Sequence, residues 1–128
     1  MEKVKILIVD DEQVVLDSCR KILAAEGYEV FLASSAVEAL AAMKTDEFSL
    51  LIIDIKMPEH DGMYLMQELN EHWPGTPVMV MSGYHTDQTI EDAKQMGAVS
   101  FINKPFTPDE LINSVRNAIH SLNFNQSL

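Results

Sequence analysis

Four acids, Asp10, Asp11, Glu12 and Asp54, follow directly on the aliphatic runs "ILIV" and "LLII". A carboxylate at the end of a buried strand costs desolvation energy unless something pairs with it. Ser82 and Gly83 follow a third apolar run, and Asn103, Lys104 and Pro105 follow a fourth. Taken singly, each has an ordinary explanation. Asp11 or Glu12 complements the start of a helix, Ser82 is a turn residue, and Lys104 is a solvated cation. Brought to one place they would do more. Two like charges about 4 Å apart repel by roughly 4 kcal/mol near a protein surface, and Lys104 offsets only one of them. A hard divalent ion with oxygen ligands relieves this, and a few carboxylates with positions left for water and phosphate suit Mg²⁺.

Whether these residues meet depends on the elements that carry them. Five short apolar runs, 4–9, 28–33, 49–54, 77–82 and 99–103, alternate with five segments of helical period. The first, third and fourth are almost continuously apolar, as central parallel strands covered on both faces should be. "YEVFLA" is mixed, which suits an edge. The first helix spans about 13–26, with Val15, Cys19, Ile22 and Leu23 on one stripe and Gly27 as its stop. Ser35 and Glu38 form a capping box for the second, and Thr107, Pro108 and Glu110 start the fifth. The third runs from about Gly62 to the "HWPGTP" break. The fourth, near 86–96, has a thin stripe of Ile90, Ala93 and Met96, so it is expected to dock most loosely. Strict alternation predicts an α/β fold with right-handed crossovers. The expected sheet is five-stranded and parallel, flavodoxin-like in order 2-1-3-4-5, with its crevice at the carboxyl ends of strands one and three. All the polar residues above lie at that edge.

Composition narrows the function classes. The 128 residues, 47% hydrophobic and 23% charged, fit one soluble globular domain over 1–122, with 123–128 as a tail or truncated linker. A formal charge of −11, from 20 acids and nine bases, opposes direct nucleic-acid binding. No apolar run is long enough to span a membrane. The apolar stretch behind the N-terminal lysines ends in acids, which argues against an export signal. One cysteine, Cys19, fits a cytoplasmic location. The four histidines share no metal spacing, and the methionines read as core filler, with Met57, Met63 and Met66 also available to an adaptable contact surface.

The segments "LIVDDE", "DIKMPEHDG", "VMVMSGYH" and "FINKPF", in this order and spacing, resemble the signature regions of response-regulator receiver domains of two-component signalling. The resemblance implies that Asp54 is the phosphoacceptor. Asp11 would bind Mg²⁺ directly, Asp10 mostly through water, and Lys56 through its backbone carbonyl. Ser82 and Phe101 would be the switch pair, and Lys104 the phosphate-binding lysine on a cis peptide to Pro105. Gly83 would leave room for the donor, and Pro58 and Gly62 would shape the acceptor loop. Lys56 and Tyr84, each two residues past a key position, would flank the approach of water and tune the lifetime of the phosphorylated state.

The same resemblance implies a phosphohistidine donor on a histidine kinase or histidine phosphotransfer protein. The receiver would catalyse its own phosphorylation and dephosphorylation, without turnover of free substrates. Output would pass through the surface of the fourth helix, fifth strand and fifth helix to an effector domain or output protein, and phosphorylation-dependent dimerisation is compatible with this. Two rivals are a Mg²⁺-dependent phosphohydrolase of the haloacid dehalogenase type and a phosphorylation-independent binding module. The first places its nucleophile in a D-x-D pattern after strand one, whereas here the pair is "DD" and the isolated acid follows the third run.

Overall fold

The computed structural model describes residues 3–57, 61–83 and 86–127. In chain order the elements are β1 (Lys5–Val9), α1 (Gln13–Ala24), β2 (Glu29–Ala33), α2 (Ala36–Thr45), β3 (Leu50–Asp54), α3 (Asp61–His72), β4 (Val78–Ser82), α4 (Asp87–Gln95), β5 (Ala98–Asn103) and α5 (Pro108–Ser127). The sheet is parallel throughout, in the expected order β2-β1-β3-β4-β5. The mixed run does lie at an edge, as β2.

The continuous apolar runs are continuous because the sheet is covered on both faces. Alternate residues of one strand enter different cores. Leu7, Val9, Leu51, Ile53 and Val80 pack with residues of α2, α3 and α4. Ile6, Ile8, Leu50, Ile52, Met79 and Met81 pack with α1 and α5. Every residue of β3 and of β4 is buried. The strand that ends in Asp54 is therefore held from both sides and by both neighbours.

The helix starts follow local chemistry. Thr107 and Glu110 form a reciprocal box, each side chain accepting from the other's backbone N–H at 3.1 Å. Ser35 accepts from the Glu38 N–H at 3.2 Å, but the Glu38 carboxylate reaches back to Ser34 rather than to Ser35. Gly27 and Gly97 close α1 and α4 with φ of 94° and 99°, a conformation that glycine adopts without strain. The stripe of α1 is centred on Leu16, Cys19 and Leu23, with Val15 and Ile22 only half-buried beside it. Within α4 only Ala93 is buried, in line with its thin stripe. Met57 and Met66 are core residues, 5% and 1% exposed, and so offer no contact surface. The last helix continues to Ser127, past Leu122, where the sequence showed no helical pattern.

Candidate functional site

The carboxyl ends of β1 and β3 are neighbours, and each releases an aspartate into the same local geometry. Asp10 and Asp54 are 0% and 4% exposed, and with Ser82 they are the buried polar residues among the described ones. One oxygen of Asp10 accepts the Glu12 N–H at 2.9 Å. One oxygen of Asp54 accepts the Lys56 N–H at 2.8 Å. In both cases the backbone two residues on turns to hold the carboxylate, so each side chain has one oxygen fixed and one turned into the crevice.

Lys104 joins the two free oxygens. Its Nζ lies 2.6 Å from Asp10 Oδ2 and 2.8 Å from Asp54 Oδ2, with Glu12 Oε1 at 3.8 Å. Its single charge offsets one acid, as expected, while its several donors let it bond to both carboxylates. The Lys104 N–H donates to the Ser82 carbonyl at 3.0 Å, which ties the end of β5 to the end of β4 and aims the side chain. The Lys104–Pro105 peptide is cis.

Burial and pairing set the charges. Burial alone would lower the Lys104 pKa, but the hydrogen bonds and charges of Asp10 and Asp54 outweigh it and hold the ammonium above the ordinary lysine value. Burial pushes the Asp10 carboxyl up, against the lowering effect of Lys104 and the Glu12 N–H. The completely buried acid therefore loses more hydration than its partners return. Cys19, behind this site on α1, is pushed up to about 11, chiefly by burial, and is no thiolate nucleophile at neutral pH.

The ligand atoms of Asp10, Asp11, Glu12 and Asp54 all lie within 4.8 Å of one another. This is an all-oxygen, anionic donor set with exposed and buried members, which fits a hard divalent cation better than a softer one. Glu12 belongs to the cluster, although its position at the start of α1 reads in sequence as a helix-start acid. It makes no side-chain cap there.

Five further expected residues take definite places. Ser82 is completely buried at the end of β4, opposite Asn103 in the register. Phe101 is half-buried on β5, opposite Val80, against the core on the α4 side. Gly62 is demanded sterically, because a Cβ there would stand 2.4 Å from Ile55 Cα and 2.6 Å from the Asp54 carbonyl oxygen. Gly83 is less constrained, with a Cβ meeting Lys104 Cβ at 3.4 Å. Lys56 is exposed beside the crevice. Pro58 and Tyr84 lie outside the described residues. A groove of about 700 Å³ runs from Asp54 and Lys104 along α1 past Val14 and Val15 to Phe106. Val14 is 77% exposed, an apolar side chain beside a charged site. No described helix is long and apolar enough to cross a membrane.

Comparison with known proteins places this arrangement. The family described as "Response regulator receiver domain" matches residues 6–116. The alginate biosynthesis transcriptional regulatory protein AlgB of Pseudomonas aeruginosa is 36% identical over 84% of this chain and 24% of its own length. The transcriptional regulatory protein GlrR of Escherichia coli is 33% identical over 89% and 26%. The chain thus spans about a quarter of the length of these curated relatives. A CheY-like receiver domain protein from Methanospirillum hungatei superposes with a TM-score of 0.91 at 32% identity, covering 97% of this chain and 99% of that one. NtrX from Brucella abortus superposes with a TM-score of 0.92 at 34% identity, covering 98% and 29%.

Proposed function

Because the chain belongs to the response regulator receiver domain family, we propose that it accepts a phosphoryl group on Asp54 from a phosphohistidine partner, with Mg²⁺ as cofactor. One observation carries this reading above the others. Asp54 ends a completely buried strand with one oxygen fixed by backbone and one facing a lysine and three further acids, and it lines the open groove, which the fully buried Asp10 does not.

Asp10, Asp11 and Asp54 would hold the cation, joined by the Lys56 backbone carbonyl. When bound, the ion would neutralise charge on the incoming phosphoryl group and on the acids around it. The chain supplies the rest by positioning and electrostatics, as a charge-rich, loose transition state requires. The Lys56 N–H keeps one Asp54 oxygen in place, so the other is the nucleophile. This oxygen bonds to phosphorus as the P–N bond of the phosphohistidine breaks, and the electron pair leaves with the imidazole. Lys104 would move from the Asp54 oxygen to a phosphoryl oxygen, keeping its hold on Asp10. The Ser82 hydroxyl would take another phosphoryl oxygen. Gly83 lines the approach without a side chain, and Lys56 and Tyr84 would set how readily water reaches the acyl phosphate.

Output follows from the same residues. Ser82, drawn to the phosphoryl group, would leave space that Phe101 fills from β5, shifting the surface of α4, β5 and α5. Phe101 has no hydroxyl, so packing alone would drive its movement. A cavity of about 60 Å³ between α4 and β5, bounded by Ile90, Ala93 and Phe101, provides room for it.

The partners would be a histidine kinase or histidine phosphotransfer protein on the input side. On the output side they would be an effector domain or protein, with residues 1–122 acting as the receiver. Dimerisation on phosphorylation and a cytoplasmic location complete the reading. The test is incubation with Mg²⁺ and a small acyl phosphate, followed by intact mass. One phosphoryl group is expected, lost in Asp54→Asn and on chelation of the metal. Catalytic hydrolysis of the donor without a modified protein would reject the reading.

A further inference from the structure

At the C-terminal end of α3, on the opposite face of the sheet from α1 and α5, a second group of ligand atoms converges. His72 Nε2 lies 3.8 Å from Glu68 Oε2 and 3.8 Å from Glu71 Oε2, and the three donor atoms fall within 4.8 Å of one another. The spacing is Glu-x-x-Glu-His, which puts Glu68 one helical turn before the other two. We propose that this triad is a binding site for a borderline divalent transition ion such as Zn²⁺, separate from the aspartate crevice and not dependent on it.

Donor chemistry separates the two sites. The crevice offers only oxygen, which suits Mg²⁺, whereas an imidazole nitrogen with two carboxylates suits zinc, copper or nickel. The geometry is close to what such an ion needs. Tetrahedral zinc with bonds of about 2.0–2.1 Å sets its ligand atoms roughly 3.4 Å apart, a small side-chain rotation from the separations present. Glu68 is already oriented, because its other oxygen accepts the Tyr64 hydroxyl at 3.3 Å. A hydrogen-bonded partner behind a ligating carboxylate is the usual support of a metal ligand. The last turn of a helix also carries the negative end of the macrodipole, which favours a cation. His72 is 61% and Glu71 68% exposed, so solvent can fill the remaining coordination positions.

Trp73, the single tryptophan, reports on this site. Its ring stands 6.1 Å from the His72 imidazole, at 73°. The experiment is calorimetric titration of the intact chain with Zn²⁺ in millimolar Mg²⁺, together with quenching of Trp73 emission by Cu²⁺. The expected result is one Zn²⁺ per chain, weakened at least about tenfold in both His72→Ala and Glu68→Gln, the lower range for losing even an outer partner of a metal. Copper quenching should disappear in His72→Ala. His72 is 61% exposed and Glu68 26%, so circular dichroism of both variants accompanies the titration, and the isosteric Glu68→Gln keeps an oxygen for the Tyr64 hydroxyl. Phosphorylation of Asp54 by an acyl phosphate is expected to be unchanged in both, so failure here is distinguishable from failure of the receiver reading. Zinc binding of equal affinity in the wild type and both variants, or no zinc binding at all, overturns the proposal.

Discussion

β3 and β5 both flank β4, and both carry residues assigned to signalling, yet they are built differently. All five residues of β3 are buried, and its register with β1 and β4 is regular. β5 is an edge strand on which only Ile102 is buried, its pairing with β4 slips between Val78 and Met79, and a small cavity separates it from α4. One strand is packed to hold a carboxylate still, and the other is packed more loosely. A phosphoryl acceptor benefits from the first property, since positioning is most of what the site contributes to transfer. A relay needs the second, since a switch requires two packings of similar energy.

The largest expected contrast is in stability. Ile52→Ala on β3 should cost about 2–5 kcal/mol, the range for truncating a buried aliphatic residue. Val99→Ala on β5, where the side chain is 49% exposed, should stay within about 0.5 kcal/mol. Urea denaturation measures both, and equal costs would break the comparison. Next is the pair of glycines. Gly62→Ala forces a methyl group against the backbone at Ile55 and should cost about 1–3 kcal/mol, together with slower phosphorylation. Gly83→Ala meets Lys104 Cβ at 3.4 Å and the Lys104 carbonyl oxygen at 3.7 Å, both ordinary contact distances, and should be close to neutral in stability. The smallest effect concerns Ser100 on β5, whose buried hydroxyl has no hydrogen-bond partner among the described residues. Ser100→Ala should leave stability unchanged or raise it by up to about 1 kcal/mol. A clear loss would mean that β5 is packed as purposefully as β3.

Much of this was legible from pattern. Uninterrupted apolar runs gave the central strands because burial on both faces leaves no polar position. Gly27, Ser35 and Thr107 marked helix ends through local backbone chemistry. The converging acids followed from strand order, since parallel strands bring all their carboxyl ends to one edge. What stayed hidden depends on distance across the fold. Nothing in "NKPF" says that Lys104 reaches Asp10 and Asp54 together. The buried face of α1 is rotated by one residue, onto Leu16 in place of Val15, because the helix's angle to the sheet decides which of two apolar neighbours points inward. His72 shows no spacing to another histidine, and it is helical geometry that brings Glu68 to it.

The central claim is that one acid among several, Asp54, becomes the reactive atom. Borohydride reduction of the chain after Mg²⁺-dependent phosphorylation converts an aspartyl phosphate to homoserine at its own position, and peptide mass mapping then locates it. The account predicts homoserine at residue 54, none at 10 or 11, and no reduced glutamate at 12. Reduction at residue 10 or 11, the place an aspartyl phosphohydrolase would use, would contradict it.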